Sequence, residues 1–203
     1  MNEEKHNKIV IGTIILLLVL SIGAIVIYQK IQQSKQTFTY NGFTVAKEEN
    51  DGLTSYQIQF FKEGTEQPFI INSRYNPKSL ENISIAADIR DLIVKEKLYI
   101  TMAPTLSGKG TVAFAEIDKY TENPFLFNLP TSPALLQKVE GNELPLMTCE
   151  GVSPVTSVIK FNIGDQTRIY EDNGCVIIQA TNEDELIRAA DRLSLTLLGI
   201  MKE

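Results

Sequence analysis

Histidine is almost absent from this chain. His6 is the only histidine among 203 residues, and it stands before the long apolar run near the N-terminus. Histidine-based catalytic triads and histidine-rich zinc sites both need this residue type inside the folded domain. The sequence therefore excludes both kinds of site after the apolar run, and we predict neither a metal nor a cofactor there.

Cysteine is scarce as well, since Cys149 and Cys175 are the only two. Reactive dithiols usually have two residues between the cysteines and lie near a helix N-terminus. These two are far apart in the chain, and Cys175 begins an apolar segment. We predict a structural disulfide between them. Two buried free thiols and a redox pair are the alternative interpretations.

Basic residues are in the minority. The chain has 19 lysines and arginines against 25 aspartates and glutamates, which gives a formal net charge of -6. Proteins that bind nucleic acid present a basic surface, so we predict no nucleic-acid partner. An acidic balance of this kind is typical of a soluble, well-hydrated exterior.

One long apolar run is present, over residues 9–28, and it contains no charged side chain. A helix of this length reaches roughly 30 Å, the thickness of the hydrocarbon core of a bilayer. Tyr28 and Lys30 stand where aromatic and basic residues favour the membrane interface. We predict a short tail over residues 1–8, a transmembrane helix over 9–28 that binds the lipid bilayer, and a polar neck over 29–36.

Two other interpretations of the run remain open. The apolar region of a signal peptide is about 7 to 15 residues long and ends at small residues, whereas the small cluster 21–24 is followed here by more apolar residues. The start of the run, residues 11–13, resembles the hydrophobic segment of archaeal pilins. That resemblance implies an assembly subunit, although residues 6–8 depart from the pilin processing site.

The orientation does not follow from charge, because two lysines flank the run on each side, Lys5 and Lys8 against Lys30 and Lys35. A short tail stays inside the cell easily, and the domain carries an Asn-x-Ser sequon at Asn82. We predict a single-pass protein of the cell membrane with its N-terminus inside and its domain outside. Asn82 is the candidate glycosylation site.

Residues 37–203 are enough for one domain with a hydrophobic core. We predict an α+β fold, in which mostly antiparallel β-hairpins pack with about three helices. The first hairpin turns at Asn41 and Gly42, which tolerate positive φ angles. The second joins residues 55–61 to residues 69–75. Further strands are predicted over 98–101, 155–161, 167–171 and 175–178, the last suited to the centre of a sheet.

Helices are predicted over residues 83–93 and 108–122, with a third that begins at Thr181. Thr181 and Asp184 resemble a capping box. The apolar residues of this third helix share one face, namely Leu186, Ala190, Leu193, Leu197 and Met201. Residues 125–145, which contain several prolines, are predicted to form a long loop with at most one helical turn.

Two further patterns were weighed as sites. Residues 107–111 lie between a predicted strand and a helix, but they lack the first glycine and the hydroxyl residue of a phosphate-binding loop, so we interpret them as a flexible connection. Two carboxylate pairs, Asp88 with Asp91 and Glu116 with Asp118, could serve acid–base chemistry. We interpret both as solvated helix faces and predict no catalytic and no cofactor-binding residue.

The last part of the chain carries a family resemblance. Cys149 with Glu150, the hairpin 173–178, and residues 190–193 followed by 199–201 form a pattern similar to that of uncharacterised archaeal proteins with one N-terminal span. The resemblance implies an archaeal cell-surface setting and supplies no catalytic residues.

The function expected from these patterns is that of a membrane-anchored structural or binding module at the cell surface, with other envelope proteins as partners. Two alternatives are kept. One is a membrane-anchored enzyme whose site is not recognisable from sequence, and the other is a pilin-like assembly subunit. The absence of recognisable site chemistry favours the module over the enzyme.

Overall fold

The structure, a computed structural model, describes residues 13–25, 36–61 and 68–203. Its first sheet is antiparallel, and its four strands follow one another in space as they do in sequence. They are β1 (Thr37–Tyr40), β2 (Phe43–Asn50), β3 (Leu53–Phe61) and β4 (Pro68–Ser73). The two predicted hairpins are therefore confirmed, and β2 pairs with β3 to join them into one sheet.

Tight turns organise this sheet. Asn41 and Gly42 have φ angles of 48° and 87°, as the predicted two-residue hairpin turn requires. Asp51 and Gly52 make a second such turn, with φ angles of 51° and 77°, between β2 and β3. The sequence analysis missed this turn, although Asp-Gly is a strong hairpin signal of the same kind.

The second sheet has six strands in the order β5-β9-β10-β8-β6-β7. The strands are β5 (Ser84–Ile85), β6 (Lys97–Met102), β7 (Thr131–Leu135), β8 (Thr156–Ile163), β9 (Arg168–Asp172) and β10 (Cys175–Ala180). All its neighbours are parallel except β9 and β10. The prediction of mostly antiparallel hairpins is thus correct for the first sheet and wrong for the second.

Helices supply the crossovers that parallel strands need. A helix, α1, covers the described residues 13–25. The others are α2 (Ile89–Ile93), α3 (Gly108–Thr121) and α4 (Glu183–Leu197). The second and third predicted helices are confirmed. The first is largely wrong, because β5 and a loop occupy its first half, and only Ile89–Ile93 is helical.

A strand also replaces part of the predicted loop over residues 125–145. β7 contains Pro133, which has no N–H to donate to a sheet. The strand lies at the edge of the second sheet and pairs only with β6 among the strands. An edge position tolerates proline, and this explains why proline content was a poor guide here.

Helix α4 is buried almost all round. Every residue from Leu186 to Leu197 is buried except Arg188. The predicted apolar face is confirmed, but the helix contacts more than one layer. It packs on strands of the second sheet and bonds the end of β4 in the first. Its N-terminus is capped by Asn182, which accepts from two backbone N–H groups, rather than by the predicted Thr181.

One apolar core joins both sheets and the helices between them. It contains Val45 of β2, Ile58 of β3, Ile117 of α3, Ile178 of β10 and Leu193 of α4, each of them 0% exposed. The described residues from 37 onward therefore share one core, and α4 packs on the second sheet and on α3 within it.

The predicted span 9–28 lies only partly within the described residues. The tail 1–8 lies outside them, and so does the neck 29–36 except for its last residue. Within residues 13–25, 36–61 and 68–203, no helix is both long and apolar enough to cross a membrane. The large apolar side chains of α1 are between 52% and 61% exposed. The span itself stays a prediction.

Candidate functional site

Four charged residues meet where the first sheet contacts α3 and α4. Arg74 follows the last residue of β4, Glu116 and Lys119 stand one turn apart on α3, and Asp191 lies in the middle of α4. We call these four residues the charged cluster. Glu116 and Asp191 are only 5% and 1% exposed. Buried carboxyl groups are costly without partners, so their contacts decide what the cluster can do.

Asp191 holds the end of β4 through one oxygen. Its Oδ2 accepts from Oγ of Ser73 at 2.9 Å, from the N–H of Arg74 at 2.8 Å and from the N–H of Tyr75 at 3.0 Å. These donors belong to consecutive residues at the end of β4, Ser73 being its last residue, and directly beyond it the backbone has no strand partner among the described residues. Asp191 thus supplies the hydrogen bonds that fix the chain beyond β4.

Glu116 binds both cations of the cluster. Its Oε1 accepts from Nε and Nη2 of Arg74 at 3.1 Å and 3.0 Å, and its Oε2 accepts from Lys119. Burial alone would raise the pKa of Glu116. The bonds and charges of Lys119, together with Asp191 and Arg74, outweigh burial and lower this pKa below its usual value. Glu116 is therefore the ionised member of the carboxyl pair.

Asp191 is the protonated member below neutral pH. Burial, with a smaller contribution from the neighbouring Glu116, raises the pKa of Asp191 to about 7, although the charge of Lys119 opposes the rise. Its Oδ1 is buried and has no donor among the described residues. The two carboxyl groups lie within hydrogen-bonding reach of each other. A proton on Asp191 would allow Asp191 to donate to Glu116.

An open cleft of about 380 Å³ lies over this cluster. Arg74, Glu116 and Lys119 form its charged wall, and the turn at Asp51 lies at its rim. The remaining lining is mainly polar and includes Asn50, Thr54, Ser55 and Asn72. Asp191 is outside the lining and lies behind Glu116. The cleft can therefore contact a polar ligand directly, while Asp191 acts on it only through its neighbours.

The cluster corrects one interpretation of the sequence. The expected solvated face at Glu116 and Asp118 is wrong for Glu116, which is buried and bound to two cations. Asp118 has one buried oxygen without a partner among the described residues, and burial, followed by the charge of Glu122, raises its pKa. Asp88 and Asp91 are exposed, as expected of a solvated face.

Asp191 escaped the sequence analysis although a signal for it exists. Asp191 and Arg192 interrupt an otherwise apolar and small-residue stretch of α4. Arg192 is 6% exposed, and its guanidinium donates to the carbonyls of Ile83 and Lys202. Charged neighbours within a buried helix need dedicated partners, so this pair could have been singled out as a site.

Residues 107–111 form the N-cap and first turn of α3, and they bind carboxylates of α4. Ser107 caps α3, and its backbone N–H donates to Glu183 at 3.1 Å. Lys109 is 52% exposed at its side chain and pairs with Asp184 at 2.7 Å. The first turn of α4 thus occupies the N-terminus of α3, where a phosphate would otherwise bind. The expectation of a flexible connection is wrong, because residues 108–111 form the first turn of α3 and Lys109 is paired.

The cysteines are joined. Cys149 and Cys175 form a disulfide with their Cα atoms 5.2 Å apart, within the usual range. The bond holds the loop after β7 against the far face of the second sheet, over Val158 and Ile177. Residue Leu146 of this loop makes a parallel bridge to Leu135 of β7. The free-thiol alternative is therefore wrong for this structure.

The other predicted site residue, Asn82, is exposed. Its Oδ1 accepts from Nη2 of Arg188 at 3.3 Å. The glycosylation of Asn82 stays a prediction. In the part of the chain that the structure describes, no group of three or more histidine, cysteine, aspartate or glutamate residues could hold a metal ion.

Comparisons with known proteins do not add to this site. No family model, no curated protein and no solved structure matches the chain. The chemistry of the cleft therefore has to be inferred from its own residues.

Proposed function

We propose that this protein is a binding module anchored in the cell membrane through residues 9–28, with the domain 37–203 outside the cell. The observation that carries the proposal is the uncharged run itself, twenty residues that lead directly into the neck before β1. An α-helix that is apolar on all sides needs an apolar environment, and the exposed apolar side chains of α1 fit that requirement.

The disulfide supports the outward orientation. Disulfides persist in oxidising compartments and are rare in the cytosol. The bond between Cys149 and Cys175 would therefore be maintained outside the cell. The proposed setting is also the one implied by the resemblance to archaeal single-span proteins, and other envelope proteins are the natural partners of such a domain.

The polar cleft supports binding over catalysis. Glu116 already accepts from Arg74 and Lys119, and Oδ2 of Asp191 from three donors. Groups committed to each other in this way hold the fold in place, whereas a catalytic acid or base must reach the proton that it transfers. The wide opening of the cleft also leaves a ligand in contact with water, unlike the enclosed sites that favour chemistry.

An enzyme remains the second candidate because of one observation, the carboxyl pair of Glu116 and Asp191. A pair in which one member is ionised and the other protonated is a known arrangement for acid–base catalysis. Glu116 is the member that lines the cleft. If the protein were an enzyme, Glu116→Gln would abolish turnover of its substrate while leaving the binding of that substrate in place.

The anchor and the orientation can be tested together. The full chain with a C-terminal epitope is expected to stay in the membrane fraction after alkaline carbonate extraction. Protease added to intact cells is expected to remove the epitope. Release by carbonate would overturn the anchor, and protection of the epitope until lysis would reverse the orientation. A cytosolic protein probed in the same cells controls for leakage.

Export also predicts a modification. If Asn82 meets the glycosylation machinery, mass spectrometry of the tryptic peptide from native protein should show a glycan on this residue. A peptide found only in unmodified form would remove the modification from the proposal. It would leave the membrane anchor, which rests on residues 9–28, unaffected.

A further inference from the structure

Hydrogen-bond donors remain free on the charged wall of the cleft. Arg74 donates to Glu116 from Nε and Nη2, but its Nη1 donates to no acceptor among the described residues. Lys119 uses two donors, one to Glu116 and one to the carbonyl of Asn72 at 2.8 Å. An ammonium group has three donors and a guanidinium five. Both cations can therefore bind an additional acceptor in the cleft.

These two cations are also accessible. The side chain of Arg74 is 46% exposed and that of Lys119 is 35% exposed, whereas Glu116 between them is only 6% exposed. A ligand that enters the cleft therefore meets the cations more readily than the carboxylate that they share. Guanidinium and ammonium groups side by side favour a carboxylate or another anionic oxygen group.

The rest of the cleft indicates what carries the anionic group. Amide and hydroxyl side chains line it, from Asn50, Asn72, Thr54 and Ser55. These groups both donate and accept, as sugar hydroxyls require. Leu53 is 71% exposed at the same site and offers an apolar surface to the C–H face of a sugar ring.

We propose that the cleft binds a uronic acid residue of an acidic saccharide, whose carboxylate lies between Arg74 and Lys119. This inference rests on the proposed function as a surface binding module and names its ligand. A volume of about 380 Å³ is enough for one sugar ring with its substituents. Neighbouring rings of the saccharide would extend through the open side.

Protonation of the carboxyl pair should control this binding. Arg74 and Lys119 carry two positive charges, and Glu116 with Asp51 of the cleft lining carries two negative charges. A protonated Asp191 therefore leaves the site without net charge, whereas ionised Asp191 gives it an excess of one negative charge. The transition is centred near pH 7, where Asp191 titrates. An anionic ligand is therefore bound more tightly on the acid side of neutrality.

Several charged or titratable groups surround Asp191. They belong to the chain after β4 and to α3, namely Arg74, Tyr75, Glu116, Lys119 and Tyr120, while Asp51 is a further carboxylate in the lining of the cleft. Burial raises the pKa of both tyrosines, so that they stay neutral in the relevant range. Within this set, Asp191 is the residue whose charge changes near neutral pH.

The test uses the full chain in detergent micelles and titrates it with D-glucuronate, D-glucose or a glutamate tripeptide. We expect D-glucuronate to bind about tenfold more tightly than D-glucose, because only the former offers a charge to the two cations. Equal affinity for the two sugars would overturn the proposal. Tighter binding of the tripeptide than of D-glucuronate would overturn it too, since the ligand would then be an acidic peptide.

The proton dependence has its own test. Wild-type affinity for D-glucuronate should rise several-fold, on the order of three to ten, between about pH 8 and about pH 5.5. Asp191→Asn, which keeps the shape and stays neutral, should bind at about pH 8 as tightly as wild type does at about pH 5.5. A pH dependence that persists in Asp191→Asn would overturn the role of this residue.

Two lysine variants of α3, one in the charged wall of the cleft and one outside the cleft, test whether the wall binds the carboxylate. Lys119→Gln is expected to weaken D-glucuronate binding about tenfold, whereas Lys109→Gln, on the same helix but outside the cleft, should leave it unchanged. A thermal melt of each variant shows whether it is folded, and the comparison of the two sugars on wild type needs no variant. Loss of carbonate-resistant membrane association would contradict the anchor without affecting these titrations, so the two proposals fail separately.

Discussion

The two sheets of this protein differ in how their strands find each other. In the first sheet each strand pairs with the next along the chain, across tight turns at Gly42 and Gly52. In the second sheet, β8 lies between β6 and β10, and β5 reaches across to β9. Local turns can thus organise the first sheet. The second depends on contacts between residues far apart in sequence, which form only when the core forms.

The contrast extends to what holds each sheet. The second sheet has strands in the centre that are buried on both faces, and a disulfide holds a loop over its far side. The first sheet shares the same core but ends in polar contacts, where Asp191 bonds the chain after β4. We therefore expect damage to the second sheet to unfold the domain and damage to the first to have smaller effects.

The largest effect is expected from a cavity in the second sheet. Ile178→Ala removes a side chain that is 0% exposed at the centre of β10. It should lower the free energy of unfolding by about 2 to 5 kcal/mol, because the lost contacts are not replaced. Urea denaturation followed by circular dichroism measures the loss.

Ile70→Ala is the matched control in the first sheet. Ile70 is 62% exposed on β4, so its truncation should change the stability by less than about 0.5 kcal/mol. Ile58→Ala, at a position of β3 that is 0% exposed, matches the burial of Ile178 and should cost less than Ile178→Ala does. Equal losses for Ile58→Ala and Ile178→Ala would contradict the difference between the sheets.

The disulfide comes next. Cys149→Ser opens the bond while altering a half-buried position and leaving Cys175 in the sheet. The free energy of unfolding should fall by about 3.5 kcal/mol, the value of the loop-entropy model for a sequence separation of 26. Reductant should lower the melting temperature of the wild type to about that of Cys149→Ser. It should leave the melting temperature of the variant unchanged. If reductant leaves the wild-type melting temperature unchanged, the bond contributes little.

Asp191 of α4 bonds the end of β4, and its titration should make the free energy of unfolding depend on pH. The pKa of Asp191 is raised in the fold to about 7 from its usual 3.8, so the folded state holds an extra proton between these values. The corresponding stability is present at low pH and is lost as the pH rises through about 7. Between about pH 5 and about pH 8 the loss should be on the order of 2 kcal/mol.

Asp191→Asn should remove this slope, because the amide keeps the hydrogen-bonding positions and does not titrate. Glu116 has the opposite effect on the pH dependence of stability, because its pKa is lowered in the fold. The stability that it contributes is lost only at lower pH. Asp184→Asn, at an exposed position of the same helix, should retain the wild-type slope. A slope unchanged in Asp191→Asn would assign the titration to another group.

The smallest effect is expected at the first hairpin turn. Gly42 has a φ of 87° and open space around its Cα, so Gly42→Ala is disfavoured by backbone conformation alone. The cost should be about 1 kcal/mol. Gly108→Ala, where φ is ordinary and the space is also open, serves as the control and should be neutral or slightly stabilising. A larger loss at Gly42 would mean that this turn matters to the whole core.

Much of the local structure could be predicted from the sequence. The Asn41-Gly42 turn, the helix over Gly108–Thr121 and the apolar strand at Cys175 are specified by neighbouring residues, because turn geometry and helical spacing act over a few positions. The pairing of Cys149 with Cys175 also followed, since the chain offers no other cysteine.

The tertiary structure alone decided the rest. Pro133 lies in a strand because that strand happens to be at an edge, and the parallel order of the second sheet depends on how helices cross it. The sequence around Glu116 is typical of a solvated carboxylate. In the fold Glu116 is buried, because α4 and the end of β4 pack over it beside Asp191. Whether a charge is exposed or buried depends on which distant elements pack over it, and spacing along a single helix carries no information about that contact.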